Sequence, residues 1–184
     1  MKAVAILGSR NPKGQTARAA DALIHGLTNV GEECERIFLP QMKIERCRQC
    51  DDNGWGTCRT QGQCVIKDDF ASIVSKIKDA DAVVFATPVY FGDLSESIRA
   101  FLDRLRRTCM HEDGKKGVAG TKAVGICVAG GGGGGAPNCC VSMERVLGTC
   151  GFDLIDLIPV RRQNLDMKIA ILETTGKWLA SSIS

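Results

Sequence analysis

Four cysteines stand close together in an otherwise irregular stretch: Cys47, Cys50, Cys58 and Cys64, spaced Cys-x2-Cys-x7-Cys-x5-Cys. Four thiolates on one short loop can hold a [4Fe–4S] cluster or a tetrahedral zinc ion; without metal they are free or redox-active thiols. Gly54, Gly56 and Gly62 let the backbone wrap a compact centre, and Arg46, Arg48 and Arg59 offset the negative charge of thiolates and cluster. We read Cys47, Cys50, Cys58 and Cys64 as ligands of a [4Fe–4S] cluster, with zinc and no metal as the alternatives. The chain has ten cysteines in all. Cys127 lies in an apolar run and reads as a small buried hydrophobe, as do Cys34, Cys109 and Cys150. Cys139 and Cys140 open a helix, whose dipole favours the thiolate, so a reactive role stands beside simple packing. His25 and His111 fall in a helix and a loop and read as surface or core residues.

Three further stretches carry chemistry through backbone rather than through acids or bases. The first is Gly8-Ser9-Arg10-Asn11-Pro12-Lys13-Gly14-Gln15-Thr16, between an apolar run and a helical period. A helix N-terminus offers free N–H groups and partial positive charge to a phosphate. Ser9 and Thr16 add hydroxyls, Gln15 an amide and Arg10 a full charge. The Gly-Lys-Ser/Thr ending of a Walker loop is absent, and Gly-x-Gly-x-x-Gly is absent too, so a terminal monophosphate fits better than a triphosphate or pyrophosphate. A plain serine-capped turn is the alternative. The second stretch, Thr87-Pro88-Val89-Tyr90-Phe91-Gly92-Asp93-Leu94, places two aromatics beside a glycine at a strand end. Pro88, Val89, Tyr90, Phe91 and Gly92 are expected to line a flat ring; the alternative is that the aromatics pack on the next helix. The third is six consecutive glycines, residues 130–135. Gly130, Gly131 and Gly132 can set bare N–H groups against a polar ring edge, and a flexible linker is an unexpected device in the middle of a domain.

The elements that position these residues follow from periodicity. Apolar runs at residues 2–7, 35–39, 82–86, 123–128 and 154–160 predict five buried strands. Helical spacing predicts helices over 16–27, from Asp68 and Asp69 onward, and over 95–106, 138–147 and 166–179. Strands alternating with helices imply parallel pairing, and strands apolar throughout imply a sheet covered on both faces. The expected fold class is α/β, a flavodoxin-like doubly wound five-stranded parallel sheet of order 2-1-3-4-5, with a cysteine-rich insertion after strand 2 at about residues 41–67. Residues 1–184 form one domain in this reading. In such a sheet ligands bind beyond the carboxyl ends of the strands, where all three loops fall. The composition, 44% hydrophobic and 24% charged, is that of an ordinary globular chain. A net charge of +3 argues against nucleic acid, and the lack of a long apolar run argues against a membrane. A cytoplasmic location is the default expectation.

The three loops, with Ile98-Arg99-Ala100-Phe101-Leu102-Asp103-Arg104 and Gly62-Gln63-Cys64-Val65-Ile66-Lys67-Asp68-Asp69, together resemble the flavodoxin-like NADPH-dependent FMN reductase and iron–sulfur flavoprotein family. The resemblance runs through nearly the whole chain. It implies that Ser9, Arg10, Gln15 and Thr16 hold the phosphate of FMN, and that Pro88 to Gly92 with the first glycines of the run line its isoalloxazine ring. It also implies an FMN-dependent oxidoreductase that takes electrons from ferredoxin or NAD(P)H and forms a homo-oligomer, dimer or tetramer. The alternatives are an NAD(P)H-dependent FMN or quinone reductase without a cluster, and a non-enzymatic flavin electron carrier or redox sensor. Flavin chemistry needs no side-chain acid, base or nucleophile, so no catalytic residue is expected. The cysteine motif of the family is tighter, with two residues between the second and third cysteines; the five extra residues, Asp51-Asp52-Asn53-Gly54-Trp55, are expected to loop out.

Overall fold

Strand β1, Lys2–Leu7, buries every residue after Lys2. Its odd and even positions serve two different cores. Val4 and Ile6 join Val83, Phe85 and Cys127 on one sheet face, while Ala3, Ala5 and Leu7 join Val84 and Ala86 on the other. A strand apolar at every position is thus the signature of a sheet with helices on both sides. The computed structural model describes residues 1–28 and 33–183. The elements after β1 are α1 (Gln15–Thr28), β2 (Glu33–Phe38), α2 (Thr57–Thr60), α3 (Phe70–Lys78), β3 (Ala82–Tyr90), β4 (Asp93–Leu94), α4 (Glu96–Thr108), α5 (Glu112–Lys115), β5 (Lys122–Ala129), α6 (Ala136–Cys150), β6 (Asp153–Arg161) and α7 (Leu165–Ile183).

The parallel sheet runs β2-β1-β3-β5-β6. Counting only its five parallel strands, this is the flavodoxin-like order 2-1-3-4-5 that the alternation of elements predicts. One face carries α3, α4 and α6 and the other α1 and α7. On the second face small residues dominate. Ala17, Ala19, Ala20 and Ala22 of α1 meet Ala3, Ala5 and Ala86, and α1 crosses α7 so closely that a Cβ on Gly26 would lie 3.1 Å from the Gly176 Cα. No described helix is long and apolar enough to cross a membrane.

Two local expectations are corrected and a third is extended. The stretch after Ala86 is not a loop: β3 continues to Tyr90 and folds back through Phe91 and Gly92 into β4, which pairs antiparallel to it. Phe91 and Gly92 have φ of 51° and 80°, the pattern of a two-residue type I′ hairpin turn. The cysteine region holds one helical turn, α2, where no periodicity announced it. Asp68 and Asp69 do more than open a helix. The Asp69 carboxylate accepts the Lys43 amide at 2.7 Å, and Asp68 accepts the Glu45 amide at 2.8 Å, so the pair stitches the base of the cysteine loop to α3.

Candidate functional site

The sheet register brings the three loops level. Leu7 pairs with Ala86, and Pro88 with Val128, so β1, β3 and β5 end side by side. Backbone contacts then lock one loop to the next. The Gly8 amide donates to the Ala86 carbonyl at 2.8 Å, and the Gly8 carbonyl accepts from the hydroxyls of Ser95 at 3.0 Å and Ser97 at 3.1 Å. The Ser95 amide in turn donates to the buried Thr87 hydroxyl at 3.2 Å. A Cβ on Gly8 would sit 2.6 Å from Ser95 Oγ, and one on Gly135 would sit 2.6 Å from the Gly92 Cα. Glycine at 8 and 135 is therefore what lets three loops meet.

Within the first loop, the Asn11 side chain accepts the Lys13 amide at 3.0 Å, and its carbonyl accepts the Gly14 amide at 3.1 Å. This turn delivers the chain to α1, whose first amides have no acceptor within the helix. Ser9 is half-buried, Arg10 exposed, Gln15 the first residue of α1 and half-buried, and Thr16 buried. Gly8 and Arg10 share a shallow groove with Pro40, Tyr90, Ser95, Glu96 and Ser97. Pro88 and Val89 are half-buried in β3, Tyr90 is exposed at its end, Gly92 is half-buried and Phe91 stands wholly in solvent. A bulky residue at φ 51° is strained, and such strain collects where a side chain is held out for a ligand. The hairpin is anchored by Asp93, which bonds Arg99 at 2.5 Å and the Leu94 amide at 2.8 Å. Burial opposes ionisation of Asp93, but the Leu94 amide, Ser142 and Arg99 outweigh it and hold its carboxyl below the usual range. Gly130, Gly131 and Gly132 are exposed, with nothing within 4 Å of where a side chain would begin. Their open front leaves the backbone free to meet a ring edge.

Thr87, Ser95 and Ser97 were not among the residues singled out from sequence. Ser95 stands at the N-cap of α4, where serine is common, but its side chain makes no cap bond and turns to Gly8 instead.

The four cysteines line a single small cavity of about 20 Å³, shared with Arg48, Gly56, Arg104 and Arg107. Among the described residues no three Cys, His, Asp or Glu side chains are gathered tightly enough to hold one metal ion. A tetrahedral zinc needs its sulfurs about 3.8 Å apart, from bonds of about 2.3 Å. Gly56 packs against Cys50, where a Cβ would lie 2.9 Å from the Cys50 Cβ. The insert does not simply loop out. Asp51, Asp52 and Asn53 are exposed, but Trp55 lies between two guanidinium groups, Arg107 at 4.0 Å and Arg59 at 5.3 Å, and the Gly54 carbonyl accepts from Arg107. Beneath the cavity, Arg104 forms a two-pronged, fully buried pair with Asp68 at 2.6 and 2.9 Å. Burial pushes the Asp68 carboxyl up, yet the Arg104 bond and the amides of Glu45 and Phe70 prevail and hold it below the ordinary carboxylate range.

The remaining thiols lie in the core, except Cys34, which is half-buried at its edge. Cys109 and Cys150 are buried, as are Cys127, Cys139 and Cys140, so the dipole at the start of α6 acts on thiols with little access to solvent. Burial pushes the Cys34 thiol up to about 11. His25 faces Glu173 at 3.7 Å, and His111 accepts the Asp113 amide to cap α5.

Residues 1–162 match the family described as NADPH-dependent FMN reductase. The chain belongs to that family. Among curated relatives, an iron-sulfur flavoprotein of Archaeoglobus fulgidus is 36% identical over 105 residues, 57% of this chain and 46% of that protein. An iron-sulfur flavoprotein of Methanocaldococcus jannaschii is 32% identical over 131 residues, 71% of this chain and 65% of that protein. The chain thus spans about half to two-thirds of the length of these relatives. Among solved structures, an NAD(P)H:quinone oxidoreductase from Methanothermobacter marburgensis superposes with a TM-score of 0.71 over 97% of this chain and 96% of that one; at 19% identity the likeness is one of fold.

Proposed function

We propose that this protein binds FMN across the carboxyl ends of β1, β3 and β5 and moves electrons between a reduced donor, ferredoxin or NAD(P)H, and an acceptor. A [4Fe–4S] cluster on Cys47, Cys50, Cys58 and Cys64 serves as second redox centre. The observation that carries the reading is that one helix joins both places. Ser95 and Ser97, at the start of α4, close the phosphate loop, and Arg104 and Arg107, further along it, border the cavity of the four thiols. At about 1.5 Å per residue the rise from Ser97 to Arg104 is on the order of 10 Å, a short path between two redox groups.

In this reading the amides at the start of α1, with Ser9, Arg10, Gln15 and Thr16, bind the phosphate. Pro88 to Gly92 and Gly130, Gly131 and Gly132 orient the ring and keep water from one side of it. Bound FMN and cluster supply hydride acceptance and one-electron exchange. The donor set supports a cluster: four thiols line one cavity, and the guanidinium groups of Arg104 and Arg107 beside them offset their charge. The names of the two archaeal relatives support the same reading. The family description favours NADPH as donor, which makes a cluster-free NAD(P)H-dependent reductase the second reading. A cytoplasmic homo-oligomer, dimer or tetramer, completes the proposal.

Anaerobic purification followed by a visible spectrum and metal analysis tests it. We expect FMN and about four irons per chain. Colourless protein that takes up no FMN overturns the reading, and zinc in place of iron overturns the cluster. Stopped-flow bleaching by NADPH against bleaching by reduced ferredoxin identifies the donor.

A further inference from the structure

Arg104 is placed where a charge is expensive. Its side chain is 1% exposed and that of Asp68 is 0% exposed. A buried ion pair adds little net stability over an apolar one of the same size, so its position calls for another reason. Both outer nitrogens of Arg104 are partnered: Nη1 donates to Asp68 and to the Glu45 carbonyl at 2.9 Å, and Nη2 donates to Asp68. The Phe70 ring lies 4.2 Å from the guanidinium carbon. The inner Nε–H has no hydrogen-bond partner among the described residues, although it is buried. Arg107 repeats the arrangement one turn later. Its Nη2 donates to the Gly54 carbonyl, its plane stacks on Trp55, and its buried Nε–H is also unpartnered. Both side chains border the cavity that the four thiols line. Unpaired buried donors are rare in folded proteins. Two of them beside four sulfurs indicate an acceptor.

The geometry points to Arg104 and Arg107 as fixed hydrogen-bond donors to the sulfur shell of the four-cysteine centre, aimed by Asp68 and by the Gly54–Trp55 insert, that set how readily the centre is reduced. This inference rests on the cluster reading above. On reduction the centre gains one electron from the protein's donor, and the guanidinium groups gain and lose no proton. Donated hydrogen bonds and positive charge stabilise the more negative, reduced form and raise its potential. Asp68 is then a positioning residue, and so is Trp55. The long Cys50–Cys58 spacing gains a purpose: the extra residues hold the second arginine.

The test uses holoprotein isolated anaerobically. Removing one partner of the buried pair leaves an uncompensated charge, so the informative variant is the double Asp68→Asn/Arg104→Gln, which keeps the net charge of the pair and removes the donor. Arg107→Gln is made separately. We expect wild-type iron content in both, an altered EPR spectrum of the reduced centre, and a one-electron reduction equilibrium at least tenfold less favourable, a 59 mV fall in potential. Iron-replete variants with unchanged potential and spectrum overturn the inference while leaving the cluster in place. Variants that fold and keep FMN but lose iron assign the arginines to holding the loop, and also overturn it. Wild-type protein without iron overturns the cluster reading and this inference together.

Discussion

At the carboxyl ends of β1, β3 and β5, position comes from backbone: sheet register levels the strands, glycines let the loops touch, and one carbonyl, that of Gly8, gathers two serine hydroxyls. In the cysteine loop almost no backbone ladder exists, and position comes from side chains that arrive from elsewhere in the chain, with Asp68 and Arg104 at the base and Arg107 with Trp55 at the rim. The first arrangement is cheap to keep and tolerant of a polar surface. The second concentrates its integrity in a few charged groups. A fold can thus carry two candidate sites whose robustness differs, because one inherits the stability of the sheet and the other does not.

The sharpest way to break this contrast is Arg104→Ala. It leaves Asp68 buried and unpaired, a loss we expect to be about 3–5 kcal/mol in urea unfolding, with the cysteine loop opened to limited proteolysis before the sheet. A wild-type cleavage pattern and stability in that variant would remove the distinction. Next in size is Gly8→Ala, whose Cβ must displace Ser95 Oγ and the Ile98 Cβ, 3.0 Å away. Overpacking of this kind costs about 1–3 kcal/mol. Because the strain falls on the Ser95–Gly8 seam, FMN affinity should fall by about tenfold or more in a fluorescence titration, with the cysteine loop unaffected.

Acid separates the two regions next. The folded Asp68 carboxyl titrates below its unfolded value of about 3.9, so its contribution is complete above that value and is lost as pH falls through the lower, folded one. Stability measured below about pH 4 should decline more steeply in the wild type than in Asp68→Asn/Arg104→Gln; parallel profiles would contradict the assignment. The smallest effect is expected for Phe91→Gly. Relief of the left-handed backbone, about 1–2 kcal/mol, is largely offset by the added freedom of the unfolded chain, about 0.4–1 kcal/mol. Stability should therefore move by about 1 kcal/mol or less while FMN affinity drops, which isolates the ring-facing role of the side chain.

The parallel strands and long helices were legible because burial imposes its period directly on the sequence; the run from Ala82 to Ala86 can only be a covered strand. Strand β3 ran past its apolar signal because the pairing of Val89 and Tyr90 with β4 depends on a turn at Phe91–Gly92. A bulky residue at positive φ is not a signal that local propensity offers. The loop after β1 stood out through residue type, yet the seam that closes it did not, since Ser95 looks like any helix cap and its real partner lies far back at Gly8. Asp68 and Asp69 read as helix starters for the same reason: the guanidinium that explains Asp68 comes from Arg104, a helix later. Periodicity reports burial and propensity reports local geometry. Neither reports a charge pair between distant elements.

The crossing of α1 and α7 at Gly26 and Gly176 has a consequence for synthesis. Helix α1 leads out of the loop after β1, and its close backbone neighbour at Gly26 belongs to the last helix of the described chain, beyond the family-matched residues. While the chain emerges from the ribosome, β1, β3 and β5 can assemble, but α1 has no partner against its glycine notch until Gly176 has been made. The packing of α1 is thereby completed only once the last described helix has been made.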